Sequence, residues 1–430
     1  MTLTLLDNKL DTISLANAAA KFDAEDPLRG YRKRFHFPQA EDGTEAIYFT
    51  GNSLGLMPKT ARAYIEEELN DWEKLGVNAH MQAKNPWMNY HEFLTERMAA
   101  IVGAQQNETI MMNSLTVNLH FLLVSFYRPT SDRFKIIIEK SAFPSDQYAI
   151  KSHIRFHGYD SNSALIELTP RIGESTLRTE DIVETIEREG DSVALVMLGG
   201  VNYLSGQAFD MKTITAAGHK AGSVVGFDLA HAAGNIEIKL HDWDVDFAPW
   251  CSYKYLNGGP GAIGGAFIHE RHANAFDLPR FAGWWGHDKE TRFLMGPDFQ
   301  PIPGAEGWQT SNPAVLPMAA LRASLEIFEE AGMTALIEKS HKLTGYLENL
   351  IDGINSDRIS ILTPRDSNQR GCQISIGIRN GDKSLHDRLI ARGVFADWRE
   401  PGVIRAAPAP LYNSFTDVFR FAEILKECLV

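Results

Sequence analysis

A lysine set among aromatic side chains is where chemistry can first be read. Lys254 lies in Trp250-Cys251-Ser252-Tyr253-Lys254-Tyr255-Leu256-Asn257, and five glycines follow among residues 258–265. Pro249, Trp250, Tyr253, Tyr255 and Leu256 imply burial. An unpaired ammonium is costly to bury, so a lysine kept there is expected to have a chemical use. Twenty-six residues upstream, Asp228 closes the strand-like run Ser223-Val224-Val225-Gly226-Phe227. An amine able to condense with an aldehyde, and a carboxylate able to keep a pyridine nitrogen protonated, together suit pyridoxal phosphate (PLP). Asp228 is also placed to cap the turn Leu229-Ala230-His231-Ala232, and His231 then falls on the same side, towards the cofactor.

A phosphate needs donors, and Asn113-Ser114-Leu115-Thr116 precedes the helical run from Val117 to Phe126. The backbone N–H groups of Leu115 and Thr116 would open that helix, where anions bind; an ordinary cap is the alternative. Arg405, in Gly402-Val403-Ile404-Arg405-Ala406-Ala407, is flanked by apolar strand residues, and its fork matches a substrate carboxylate at two points. Gly259-Pro260-Gly261-Ala262-Ile263-Gly264 fits GxGxxG only formally. The dinucleotide fingerprint opens a helix, whereas Gly264-Gly265-Ala266-Phe267-Ile268 reads as a strand. These glycines are read instead as a tight turn near the cofactor. His269 and His272 lack further metal-ligand partners and read as surface residues, so no metal site is expected.

The elements that position these groups alternate short apolar runs with amphipathic ones. Lys135-Ile136-Ile137-Ile138-Glu139 and Val193-Ala194-Leu195-Val196-Met197-Leu198 read as strands. Between them, Thr179 opens a helix that presents Ile182, Val183 and Ile186 and stops at Gly190. A short helix through Ile214 and Ala217 leads to the strand that ends at Asp228. Residues 59–74 read as a helix with Ile65, Leu69 and Trp72 at helical spacing. Nearly continuous apolar strands separated by helices predict an α/β fold with a mainly parallel central sheet covered on both faces.

After about residue 310 the pattern changes. Asn312-Pro313 starts a helix through Leu316, Leu321, Leu325 and Phe328, and a second runs through Leu336, Leu343, Leu347 and Leu350. A strand (373–378), a helix from Ser384, short strands around Val394 and Val403, and a last helix from Ser414 follow. The division expected is an N-terminal segment (1–58) set against a small domain, a large PLP-binding domain (59–310), and a smaller C-terminal α+β domain (311–430).

The chain has 430 residues, 44% hydrophobic and 23% charged, with net charge −13. That length exceeds what one core usually serves. The acidic balance argues against nucleic acid or an anionic membrane surface as partner. Three cysteines without a CxxC pair fit a reducing compartment. Residues 1–25 resemble neither a secretory signal nor a transit peptide, and no apolar run reaches the roughly 18 residues of a membrane span. A cytoplasmic location is expected.

Taken in order, the motifs become specific. Tyr48-Phe49-Thr50-Gly51-Asn52-Ser53-Leu54-Gly55-Leu56 opens the series and Leu411-Tyr412-Asn413-Ser414-Phe415 closes it. Between them stand Leu115-Thr116-Val117-Asn118-Leu119-His120, Phe143-Pro144-Ser145-Asp146, Gly226-Phe227-Asp228-Leu229-Ala230-His231-Ala232 and Cys251-Ser252-Tyr253-Lys254-Tyr255-Leu256-Asn257. Their order and spacing resemble the kynureninase family, fold-type-I PLP enzymes of the aminotransferase class V group. The resemblance implies that Lys254 joins the cofactor covalently and Asp228 pairs with its pyridine nitrogen. It implies cofactor contacts from Leu115, Thr116, Phe143 (stacked on the ring), Pro144, Ser145, Asp146, His231 and Tyr253. Trp284 and Asn312 would complete the site, partly across the interface of a homodimer. Arg405 would grip the substrate α-carboxylate, with Ser53, His80 and Asn312 near the aromatic end. One departure is Gly199-Gly200-Val201, where relatives commonly carry a hydroxyl residue before Gly-Val; one cofactor hydrogen bond is then absent or supplied by backbone.

The reaction so implied is hydrolysis of L-kynurenine or 3-hydroxy-L-kynurenine to L-alanine and anthranilate or 3-hydroxyanthranilate, in tryptophan catabolism and as a feed to NAD synthesis. Lys254 would act as the base at the α carbon and Tyr253 as proton donor and acceptor later. Polar contacts from His80 and Asn312 favour the 3-hydroxylated substrate. Two readings compete. A cysteine desulfurase or selenocysteine lyase on the same scaffold needs a mobile thiolate, for which Cys372 is the candidate. A non-catalytic scaffold would not need Lys254, Asp228 and Arg405 together.

Overall fold

The computed structural model describes residues 12–140 and 142–429, so residues 1–11 of the N-terminal reading lie outside them. Helix α1 (Thr12–Glu25) and strand β1 (Ile47–Tyr48) come first, then α2 (Ala61–Leu75), α3 (Ala79–Gln82) and α4 (Glu92–Val102). The larger sheet and its helices follow: β2 (Thr109–Met111), α5 (Leu115–Phe126), β3 (Lys135–Glu139), α6 (Pro144–Phe156), α7 (Ser161–Ala164), β4 (Leu165–Leu168) and α8 (Thr179–Glu189). It continues with β5 (Val193–Gly199), α9 (Met211–Lys220), β6 (Val224–Asp228), β7 (Phe247–Trp250) and β8 (Gly265–Ile268). The C-terminal part holds α10 (Val315–Ala331), α11 (Met333–Ile354), β9 (Ile359–Ile361), β10 (Ile374–Ile378), α12 (Ser384–Ala391), β11 (Val394–Phe395), β12 (Asp397–Arg399), β13 (Val403–Ala406) and α13 (Phe415–Cys428).

The seven-stranded sheet has the order β2-β8-β7-β6-β5-β3-β4. Strands β4, β3, β5, β6 and β7 run parallel, β8 is antiparallel to β7, and β2 to β8. Continuous apolar strands make sense here because both faces are covered. Ile137, Val196 and Leu198 enter one buried cluster, while Ile136, Ile138, Leu195 and Met197 enter another on the opposite face. The smaller sheet, β12-β13-β10-β9, is antiparallel and packs with α11, α12 and α13 in a third cluster. Ala19, Ile47 and Phe49 belong to that cluster, and β1 pairs with β11.

Three local expectations need correction. Leu69 and Trp72 on α2 point outward, 41% and 61% exposed, since helical spacing defines a common face without saying which way it turns. Helix α10 starts at Val315 rather than after Asn312-Pro313; Pro317, not Pro313, occupies the first turn, where no intrahelical N–H is required. Its buried Met318, Leu321, Leu325 and Phe328 join the large-domain cluster, so a cut at 310 divides that core, and along α11 the small-domain cluster takes over at Leu343.

His269 and His272 are also not surface residues. Asp246, 4% exposed, accepts a hydrogen bond from Val225 N–H at 2.8 Å and faces His219 Nε2 and His272 Nε2 at 2.9 Å each. His269, also buried, sits over the carboxylate of Glu108 with its ring stacked on His241. Histidine alternating with acid can read as surface in sequence, and here tertiary pairing turns it inward.

Candidate active site

The parallel strands end in a row. Glu139 closes β3, Gly199 closes β5 and Asp228 closes β6, with Gly199 and Asp228 directly paired in register. Open α/β sheets bind ligands beyond such carboxyl ends. A cavity of about 150 Å³ lies there, and Asp228, Lys254, His231 and Tyr253 all line it. Lys254 is carried on a bend whose backbone is fixed from two sides, by Gly258 N–H to Ser252 O and by Gly55 N–H to Tyr253 O, both 2.8 Å.

Lys254 Nζ lies 3.0 Å from His231 Nε2. Burial, then the charges of Lys254 and Arg405, hold His231 well below its ordinary range, so the imidazole is neutral and Nε2 accepts from the ammonium. Its Nδ1 is buried without a partner. Asp228 accepts from Ala230 N–H at 2.6 Å, so the turn-capping role holds as well. Its carboxyl contacts that of Asp146, and burial followed by the charge of Asp228 pushes Asp146 well up. Two buried carboxyls in contact keep a proton between them. Burial raises the Tyr253 phenol far above its ordinary value, which leaves it a proton carrier that stays neutral.

Two helices aim their N-termini at the cavity. Ser114 caps α5 without a side-chain hydrogen bond, and Phe143 and Pro144 open α6, also uncapped. Thr116 Oγ1 and Ser145 Oγ join the two ends at 3.0 Å. Leu115, Thr116, Ser145 and Asp146 line the cavity, so uncapped N–H groups and two hydroxyls converge where an anion is favoured. Phe143 stands at the mouth, 42% exposed, its ring 5.9 Å from Lys254 Nζ. The glycine cluster serves this cradle: a Cβ on Gly264 would lie 3.0 Å from Leu115 N.

Other expected residues lie apart. Trp284, 43% exposed, donates to Arg292 O at 3.1 Å in a separate surface pocket, and Asn312 is exposed ahead of α10. His80 packs edge-on against Trp87, with Nδ1 3.0 Å from Val77 O. Ser53 belongs to the turn that holds the Lys254 bend. Arg405 is on β13 as read, but only 1% exposed and engaged by Asp397 and by Tyr203 O. The cavity therefore gathers Leu115, Thr116, Phe143, Ser145, Asp146, Asp228, His231, Tyr253 and Lys254, while Trp284, Asn312, Ser53, His80, Pro144 and Arg405 are not part of its lining.

Sequence reasoning missed Glu139 and Tyr203. Glu139, 2% exposed, takes the Gly199 N–H on both oxygens at 3.2 and 3.3 Å, and burial pushes its carboxyl up to about 7. A Cβ on Gly199 would come within 3.1 Å of Glu139 Oε1, so the space of the missing hydroxyl side chain is partly filled by a carboxyl. Its position as the last residue of a strand ending beside Asp228 was the available signal. Tyr203 lines the cavity edge-on to Phe143; nothing in its local sequence marked it.

This donor set fits PLP: an amine in the cavity, a carboxyl for a ring nitrogen, an unpartnered buried imidazole nitrogen, an aromatic face, and two uncapped helix ends for a phosphate. The C-terminal part matches a family described as kynureninase C-terminal domain over residues 336–425. A kynureninase from Koribacter versatilis is 61% identical over 407 residues, covering 95% of this chain and 96% of that protein. One from Myxococcus xanthus is 61% identical over 408 residues, with the same coverage. Among solved structures, the apo cysteine desulfurase of Thermococcus onnurineus superposes with a TM-score of 0.75 at 18% identity, over 93% of this chain and 97% of that one; at that identity the fold alone is shared.

Proposed function

The chain belongs to the kynureninase family, and from that premise we propose the part each of its residues takes in the reaction. It is a PLP-dependent enzyme that cleaves kynurenine hydrolytically between Cβ and Cγ. When bound, PLP supplies an aldehyde for an amine to join and a ring that draws electrons from the α carbon. Lys254 would anchor it, Asp228 would pair with its ring nitrogen, and the N-termini of α5 and α6 with Thr116 and Ser145 would take its phosphate. Phe143, Pro144, Asp146 and His231 would complete the hold on it.

Lys254 Nζ would be the base that removes the substrate's α proton. His231 Nε2, 3.0 Å away, is placed to relay that proton. Tyr253, a neutral phenol beside it, donates and takes protons at the carbonyl end. Arg405 takes the substrate α-carboxylate. Trp284, Asn312, Ser53 and His80 are assigned to the aromatic end and to the neighbouring copy of a homodimer. That pairing is supported by exposed apolar side chains at Trp72, Met81, Phe293, Leu294 and Met295. A sedimentation mass near the 48.0 kDa of one chain would refute it. We place the enzyme in the cytoplasm, in tryptophan breakdown towards NAD synthesis, and infer a preference for the 3-hydroxylated substrate. Among the described residues no helix is long and apolar enough to cross a membrane.

The contact between Lys254 and His231 inside a cavity that also holds Asp228 carries the assignment. An absorption spectrum of the purified protein, before and after kynurenine, tests it. A visible cofactor band and anthranilate release are expected, both lost in Lys254→Ala. A band that survives that substitution would refute the anchor. Comparing turnover of the two kynurenines tests the preference, and a large excess for the unsubstituted one would overturn it.

A further inference from the structure

Arg405 is almost wholly buried on an interior strand of its four-stranded sheet, directly opposite Asp397 in the β12–β13 register. Its Nε donates to Asp397 Oδ2 at 2.6 Å, and Nη2 lies against the same oxygen without a directed hydrogen bond of its own. Nη1 donates to the Tyr203 carbonyl at 2.8 Å. A guanidinium has five N–H donors in a fixed plane. Asp397 holds the side-on edge and Tyr203 one end hydrogen, which leaves hydrogens on both terminal nitrogens, the pair that meets a carboxylate end-on.

Charge points the same way. Asp397 alone would cancel Arg405 and leave nothing to attract an anion. Arg399, two residues further on the same strand, donates Nε to Asp397 Oδ2 at 2.8 Å. One carboxylate between two guanidiniums leaves a net charge of about +1, enough to neutralise one incoming carboxylate. Both arginines act electrostatically on His231, so this surplus is felt in the cofactor cavity.

The second anchor is built as firmly. Tyr203 O also accepts from Gln373 Nε2 at 3.1 Å, Leu204 O from Ser375 Oγ at 2.6 Å, and Ser205 O from Thr363 Oγ1 at 2.7 Å. Three successive carbonyls of the loop after β5 thus take side chains from the smaller sheet and its flanks. That loop starts at Gly199, held by Glu139, and its Tyr203 ring lines the cavity.

We propose that Asp397 is a positioning residue for Arg405: it fixes the guanidinium side-on against Tyr203 O so that the remaining two N–H groups face the substrate α-carboxylate, while Arg399 keeps the cluster cationic. The inference rests on the assignment of Arg405 as the carboxylate grip. The test compares holoenzyme variants Asp397→Asn, Asp397→Glu, Arg399→Gln and Arg405→Lys by steady-state kinetics with kynurenine, with L-alanine as competing carboxylate.

Asp397→Asn keeps the shape but loses the charge-assisted hold on Nε, so the guanidinium is no longer fixed in line; this lost aim should outweigh the added positive charge and raise KM and the inhibition constant for L-alanine roughly 10- to 100-fold, the weight of one charge-assisted hydrogen bond. Its kcat should stay within about threefold, because the groups at the α carbon are untouched. Asp397→Glu should recover most of the loss, and Arg399→Gln should raise KM in the same sense. Arg405→Lys with a raised KM beside an unchanged or lowered KM in Asp397→Asn would overturn the inference. So would a fall in kcat at constant KM. An unchanged KM in Arg405→Lys would instead overturn the assignment of Arg405. Should Asp397→Asn fail to fold, the recovery in Asp397→Glu and the KM of Arg399→Gln decide the matter.

Discussion

Glu139→Gln should make the cofactor-free protein more stable in alkali and leave it unchanged in acid. Glu139 is fully buried beside Asp228, and burial raises its carboxyl from 4.5 to about 7. The sign follows from proton counting. Below 4.5 both folded and unfolded chains hold the proton. Above it the unfolded chain releases the proton while the folded chain keeps it, so stability falls until the pH passes about 7 and is level thereafter. At roughly 1.4 kcal/mol per pH unit the loss reaches about 3 kcal/mol. Glutamine has nearly the same shape, can still accept the Gly199 N–H, and never ionises. Unfolding entropy of about 2.1 cal/mol/K per residue makes ~0.9 kcal/mol/K for this chain, so the gain is ~3 °C in Tm at pH 8, only ~1 °C at pH 5, and vanishes in stronger acid. Melting curves of both proteins from pH 5 to 8.5 provide the readout. A variant that melts below the parent at pH 8, or differs from it equally at both pH values, would refute the reasoning.

Asp246→Asn should lower Tm by ~3–6 °C at pH 7, since it breaks a buried charge held by two histidines at a cost of about 3–5 kcal/mol. Asp246 sits below its ordinary 3.8, its hydrogen bonds to His219 and His272 outweighing burial, so that stabilisation is complete above 3.8 and drains away as pH falls through the lower folded value; the difference between the proteins should shrink in melts below pH 3.8. The buried pair Asp26–Lys339, 2.8 Å apart, predicts a comparable loss for Asp26→Leu alone and recovery of most of it in the double variant with Lys339→Met, read by urea denaturation. Tyr253→Phe should cut kcat by roughly 10²- to 10⁴-fold with little change in KM, and full turnover would remove the phenol from the reaction.

The large sheet was legible because its strands announce themselves: Lys135–Glu139 and Val193–Gly199 are apolar on both faces, and only a doubly covered parallel sheet accommodates that. Lys254, Asp228 and His231 were legible for a related reason, as polar groups at the ends of apolar runs, where burial without use would be costly. Glu139 ends such a run too, yet it passed as an ordinary strand terminus because only the tertiary fold sets Gly199 beside it. Tyr203 acts partly through its backbone carbonyl, which no residue type reveals. The exposed face of α2 and the inward histidines failed for the opposite reason: their meaning depends on which neighbour covers them.

The shared fold and the shared reaction part company at the thiols. A desulfurase on this scaffold needs a thiolate that can reach the cofactor. Here the three cysteines are all buried: Cys372 is fully enclosed and burial pushes its thiol up to about 12, while burial likewise raises Cys251 and Cys428. Cys372 backs onto Tyr255 and Ala407 and its backbone is held by Asn235, so it is fixed rather than swung on a loop. The structural likeness to a desulfurase therefore shows a shared fold and not a shared reaction. The chemistry is decided by the side chains around the cavity at the strand ends, where this chain sets a neutral phenol and an imidazole touching the lysine in place of an accessible sulfur.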